Sequence, residues 1–311
     1  MNQTNSSPSP SGSQAARPSA TRTTNFTRFA WTLWALVPVG LAAFHFGPGQ
    51  TAYRKDQAAR LVARADEVQR KALDLQATAY EAHLVAIKAR LAAFASDDAA
   101  LRQAALDANA AEEKAYANAS AAWGETAQAL AEAQALVDEL DGPVRDEIRL
   151  AKARALVRTG DVAAGANELE DLLYDAGERD ALDSTLALKA REELATAYYY
   201  GARLMRLAGK PADEWREVAA RAKQNFRYLA ESAKSRGEAD QVVENHEKNG
   251  ELVLDLEQSS LDELYAKPRP KDSPTGKCNG LGQKRGNRPG KRPGDKPSKG
   301  AGMDGEIGPG W

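Results

Sequence analysis

Tyr199, Arg203 and Arg206 are spaced by four and three residues, which on a helix sets one phenol and two guanidiniums along a single strip. Tyr and Arg are the side chains that most often anchor protein interfaces, so this strip suits an acidic peptide or a partner helix. The competing reading is ion pairing with the many acids nearby. Other chemistry is sparse. The chain has three histidines, His45, His83 and His246, and neither His83 nor His246 has a second ligand at i+3 or i+4; a metal cage needs several such groups in register. One cysteine, Cys278, excludes an internal disulfide and any multi-cysteine site. Gly276, Gly280, Gly282 and Gly286 follow no strand and cannot build a dinucleotide fold. No phosphate loop, HExxH, GxSxG or EF-hand spacing is present. The sequence therefore predicts no catalytic residue, no cofactor and no metal, and a protein that is not an enzyme.

Charge and proline are both segregated along the 311 residues. Residues 1–28 carry three arginines and no acid, and residues 267–300 carry eleven Lys or Arg against Asp272 and Asp295. The overall net charge is only −2, so the stretch 29–266 is acidic. Between residues 49 and 267 only Pro143 and Pro211 interrupt the chain, whereas residues 267–311 hold seven prolines and eleven glycines. Proline stops helices and glycine weakens them. The body is thus predicted to be all-α, with a disordered leader over 1–28 and a disordered basic tail over 267–311.

Phe29–Phe46 runs without a charge, FAWTLWALVPVGLAAFHF. Its span of about 27 Å predicts a single transmembrane anchor, with Trp31, Trp34 and Phe44 suited to the interfaces. A cleaved signal peptide and a buried soluble helix are the alternatives. Flanking charges, Arg17, Arg22 and Arg28 against Arg54, Lys55, Arg60 and Arg64, nearly balance. The expectation is a single-pass protein of the cell membrane with its body on the outer, periplasmic face.

Residues 53–141 contain 30 alanines in 89 positions. Leu61, Ala65, Val68, Ala72, Leu75 and Ala79 recur at 4-3-4-3-4, continued one step out of phase by Tyr80, Leu84, Ile87, Leu91 and Phe94. Such stripes predict a long helical hairpin or coiled coil. Ser96-Asp97-Asp98 supplies N-cap chemistry for its second helix, whose stripe is Ala119, Trp123, Ala127, Leu130, Ala133, Val137 and Leu140, ended by Gly142-Pro143.

Helices over 144–158 and 162–176 flank Thr159-Gly160-Asp161. Ala153, Leu156, Gly160-Asp161, Val162, Gly165, Leu169 and Leu172-Leu173 alternate small and large residues over the window 146–179. This window resembles a tetratricopeptide repeat in its looser bacterial form. It departs from the family at Arg149, Lys152, Leu172 and Gly177. The resemblance implies a stack of helix pairs over 144–266. It also places Arg154 and Arg158 on first-helix positions that line the family's inner groove. A second, longer pair has the stripes Leu194, Tyr198, Gly201, Met205, Ala208 and Trp215, Ala219, Ala222, Phe226, Leu229, Ala233, broken at Gly209 and Pro211. Residues 238–258 close the stack with Val243, His246 and Val253 on one side.

Three functions follow as expectations. The first is a non-catalytic, membrane-anchored scaffold whose groove binds a protein partner through Arg154, Arg158, Tyr199, Arg203 and Arg206. The second is a coiled-coil homo-oligomer acting as a spacer. The third makes the basic tail an arm for an anionic polymer or lipid.

Overall fold

The computed structural model describes residues 23–138, 142–271, 273, 274 and 281. All regular structure among them is helical, in agreement with the predicted all-α class. The chain divides into two compact units, Met1–Tyr53 and Arg54–Trp311.

In the first unit, helix α1 (Thr23–Phe46) begins inside the stretch expected to be a structureless leader; residues 1–22 lie outside the described residues. From Ala30 to Phe46 the side chains of α1 are all exposed, with Trp31 at 75% and Phe46 at 78%. The expectation of a single membrane span over 29–46 is not met. Among the described residues no single helix is long and apolar enough to cross a membrane; only the broken pair Ala30–Phe46 and Gly49–Phe94 passes by length and composition. The break falls at Gly47-Pro48. A Cβ on Gly49 would lie 2.5 Å from the Phe44 carbonyl oxygen, so only glycine allows the chain to turn there.

Helix α2 (Pro48–Phe94) begins in the first unit and from Arg54 onwards belongs to the second, where it forms a helical hairpin with α3 (Ala99–Val137). Asp98 caps α3 by accepting from the Ala100 N–H at 2.7 Å. Ala58, Ala65, Ala72, Ala79 and Ala86 recur every seven residues on α2 and none is more than 2% exposed. On α3 the same period runs through Ala105, Glu112, Ala119, Thr126 and Ala133, beside a row of Tyr116, Trp123, Leu130 and Val137. Ala58, Ala65 and Ala72 share one cluster with Trp123, Leu130 and Val137, so small residues on one helix receive large ones from the other. A seven-residue period keeps such a seam facing its partner. The expected stripe was therefore half right. Leu61, Val68 and Leu75 are only half-buried, and of the out-of-phase series only Ile87 is buried, while Leu91 and Phe94 are 53% and 93% exposed. The alanine row does not change phase. Leu140 lies outside the described residues.

Helices α4 (Pro143–Thr159), α5 (Val162–Glu178), α6 (Thr185–Leu207), α7 (Ala212–Ser235) and α8 (Asp240–Gln258) follow, each packed on the next, with short α9 (Leu261–Ala266) against α6. Pro143 opens α4 rather than ending α3, and Pro211 stands one residue before α7 instead of in its first turn. The α6 and α7 stripes are buried as their spacing predicts, except Ala208, which is exposed. Gly160 ends α4 at φ 99°, a left-handed conformation that suits glycine.

Gly165 permits α4 and α5 to approach closely. A Cβ there would lie 2.5 Å from Val157 Cγ2, 2.8 Å from the Ala153 oxygen and 2.9 Å from the Val157 nitrogen. Gly165→Ala should therefore destabilise the protein by up to about 2 kcal/mol, the overpacking cost of about 1–3 kcal/mol less the helix-propensity gain of about 1 kcal/mol. Gly124→Ala, where a Cβ meets nothing within 4 Å, should be neutral or stabilising. Urea midpoints of the two variants measure the difference.

A layer of charge replaces the apolar residues that the repeat pattern expects at Arg149 and Lys152. Arg149 lies 3.0 Å from Glu168 and 2.8 Å from Asp175, and Lys152 lies 3.0 Å from Glu168. Burial pushes the Glu168 carboxyl up, but the bonds and charges of Arg149 and Lys152 outweigh it and hold the group below its ordinary value.

Candidate functional site

The Tyr199 strip is spent inside the protein. Arg206 donates to the carbonyl oxygens of Leu256 and Ser259 and lies 4.8 Å from the Trp215 ring centroid. Arg203 is 6% exposed and donates to the Leu264 oxygen at 3.4 Å. These carbonyls end α8 and α9, where unpaired oxygens and the helix dipole attract cations. Tyr199 is half-buried against Tyr200, 5.7 Å between ring centroids. Burial raises the Tyr199 phenol, and the nearby Arg203 guanidinium only partly offsets it. The strip thus fastens the end of the stack.

Arg154 and Arg158 stand elsewhere, on α4 facing the hairpin. Arg154 Nε lies 2.6 Å from Glu193 Oε1, and Arg158 lies 3.6 Å from Glu193 Oε2 and 5.9 Å from the Tyr200 ring centroid. With Gln69, Leu73, Gln76 and Ala77 of α2, Trp123 of α3, and Lys271, they line an open cavity of about 420 Å³. Of the five residues expected to meet a partner, Arg154 and Arg158 line this cavity, and Tyr199, Arg203 and Arg206 do not.

The other half of this groove is filled by the chain itself. The tail expected to be structureless from 267 onwards is packed in its first part, with Ser273 1% and Leu281 9% exposed. Gln76 Nε2 donates to the carbonyl oxygens of Lys271 at 3.4 Å and Ser273 at 3.2 Å. Arg269 lies 3.0 Å from Glu112 and 4.6 Å from the Tyr116 ring centroid. The Arg269 N–H donates to His83 Nε2 at 3.2 Å, and His83 Nδ1 lies 2.7 Å from Glu112 Oε1. A ring nitrogen that accepts an N–H carries no proton, so the proton sits on Nδ1 and is donated to Glu112. Composition missed this strap because it reads only apolar burial. The strap is held instead by a guanidinium and by carbonyls, on a backbone that Pro268 and Pro270 bias towards extension. Residues 272, 275–280 and 282–311, including Cys278 and three of the tail glycines singled out above, lie outside the described residues; Gly286 lies there too.

Of the centre of this site, His83 is weighed in the sequence only as a metal ligand, and Glu112 and Tyr116 are not singled out at all. Its signal was present: Glu112 interrupts the alanine row at 105, 119 and 133, and a charge on a seam position must have a partner. Burial pushes the Glu112 carboxyl up, but the His83 hydrogen bond and the charges of Arg269 and Arg90 win and lower it. A lowered carboxylate contributes stability above its unfolded value, about 4.5, that is lost as pH falls through the still lower folded one. Hydrogen exchange at 267–271 should therefore stay slow at neutral pH, as far as Glu112 governs it, and accelerate below about pH 4.5. An E112Q chain should lack that acid step.

Among the described residues no group of three or more His, Cys, Asp or Glu is placed to hold a metal. Comparison of the chain with known protein families, with curated proteins and with solved structures returns no match.

Proposed function

We propose that this protein is a non-catalytic, membrane-anchored scaffold whose helical stack, of tetratricopeptide-like build, offers the groove between α2, α3 and α4 to a protein partner. The observation that carries this reading is the cavity of about 420 Å³ left open beside a strap of extended chain. A groove that already holds main-chain carbonyls through Gln76 is suited to a second extended segment. Anchoring is supported by the exposed apolar side chains of α1. Successive pairing of α4 to α8 supports the repeat-like build, since such stacks leave an elongated face for partners.

The spacer reading keeps one observation in its favour. Val85, Leu91, Phe94 and Leu106 are all more than half exposed on the hairpin, and a second copy would cover them. One experiment separates the two. The full chain is placed in lipid nanodiscs with a photoreactive residue at Gln69 or at Phe94, and its mass is read by light scattering. A monomer that crosslinks a discrete protein from position 69 supports the scaffold. A dimer or tetramer that crosslinks to itself from position 94 replaces it with the spacer.

A further inference from the structure

The seat of the strap reads its occupant at several points. Arg269 is held by the Glu112 carboxylate at 3.0 Å and by the Tyr116 ring at 4.6 Å, and its backbone N–H donates to His83 Nε2. Gln76 Nε2 donates to the carbonyl oxygens of Lys271 and Ser273. The Ser273 N–H donates to the Pro270 oxygen at 3.0 Å, which closes a turn, and Pro274 is fully buried. Lys271 is exposed. The seat thus selects an arginine at the first position, a turn, and a proline at the sixth, and leaves the third side chain outside. Written as a pattern, the strap over 269–274 is Arg-Pro-x-Asp-x-Pro. The sequence holds this pattern a second time, as Arg292-Pro293-Gly294-Asp295-Lys296-Pro297. Its Gly-Asp pair falls at the turn, where both residue types are favoured. Residues 292–297 themselves lie outside the described residues.

We propose that Arg292–Pro297 is a second ligand for this seat and that it binds the seat of another copy of the chain. The inference goes beyond the scaffold reading and does not rest on the open cavity being a partner site. Reach divides the two patterns between two tasks. Arg269 follows Ala266, the end of α9, by three residues, at most about 10 Å of chain, so it serves its own body. Arg292 follows by twenty-six, up to about 90 Å, enough to reach a neighbour. Exchange of one pattern for the other keeps the guanidinium–carboxylate pair, the two carbonyl bonds and the buried proline, as domain swapping does. The strap's short tether favours it in a lone molecule, so linkage between copies should grow with chain density. The acidic stretch 29–266 also attracts the basic C-terminal stretch of a second copy. Arg288–Pro293 shares the arginine and both prolines but has Lys291 in place of the acid, so 292–297 is the fuller match. Lys296 is the one misfit, standing where Ser273 is 1% exposed.

The test mixes two differently tagged populations of the full chain in mild detergent, one of them with a photoreactive residue at position 294. Position 294 corresponds to Lys271, which lines a cavity with Gln69 and Leu73 of α2. The expected result is an interchain product joined to α2 near these two residues, with a yield that rises with concentration. A photoreactive residue at position 271 is the control for reach and should join α2 of its own chain. R292Q should lower the interchain yield about tenfold, since it removes the charge-assisted bond to Glu112. R288Q should leave it unchanged. Lys296→Ser should raise it about threefold, because a lysine no longer has to enter a buried position. All three substitutions leave the described residues intact. A product confined to single chains would overturn the proposal and place the exchange within one molecule. A product that survives R292Q, or one that R288Q removes instead, would overturn the assigned ligand. With the control at 271 positive, absence of any product at α2 would overturn the seat itself as a contact between copies. The scaffold reading is tested separately, by crosslinking from Gln69.

Discussion

Glu112→Ala should lower the stability of the second unit by about 3–5 kcal/mol and release the strap, because it removes the acceptor from three donors at once. Glu112 lies 2.7 Å from His83, 3.0 Å from Arg269 and 3.3 Å from Arg90. The Arg90 side chain is 40% exposed and can turn to water, but His83 is only 4% exposed and Arg269 20%. Two of the three donors are thus left largely unsatisfied. Denaturant midpoints, with the slope checked for two-state behaviour, measure the loss. Glu113→Ala is the control: that side chain is exposed, and its removal should stay within about 0.5 kcal/mol. Equal effects from the two variants would mean that the Glu112 cluster holds nothing.

The second large effect is expected at Ala72. It is fully buried and clusters with Trp123 on the facing helix. Ala72→Leu adds three carbons at a position with no exposed surface, so it should cost about 1–3 kcal/mol and push the hairpin apart. Trp123 should report this through a fluorescence shift. Leu73→Ala next door removes a side chain that is 50% exposed and should change stability far less. The large-to-small change being the harmless one is the signature of an alanine seam.

That inversion explains what the sequence could and could not convey. The helices and their stripes were legible because alanine content, the Asp98 cap and the Gly160 stop act locally. Which member of each stripe forms the seam was not. A hydrophobicity reading gives weight to Leu61, Val68 and Leu75, whereas close approach of two helices gives it to the alanines between them. Arg203 and Arg206 suggested an acidic peptide or acidic neighbours, whereas the partners the structure gives them are carbonyls at the ends of α8 and α9, groups that every residue possesses and no composition records. His83 and Glu112 do not stand out for the opposite reason: they lie 29 residues apart and come together only when the hairpin closes. Arg154 and Arg158 were singled out only by the resemblance to a repeat, since neither stands out by spacing or composition.

The strap also sets an order of events during synthesis. The α4 to α8 contacts join neighbouring segments, so they can form as each helix emerges. The strap's bonds to Gln76 and His83 span 186 to 197 residues, and they must wait for nearly the whole body to leave the ribosome. At about 5–20 residues per second, the interval between completion of α4 and arrival of Ser273 is on the order of ten seconds. For that interval the nascent chain carries His83, Glu112 and Tyr116 without Arg269 beside them, and the last step of maturation is the closing of this long loop over a surface already built.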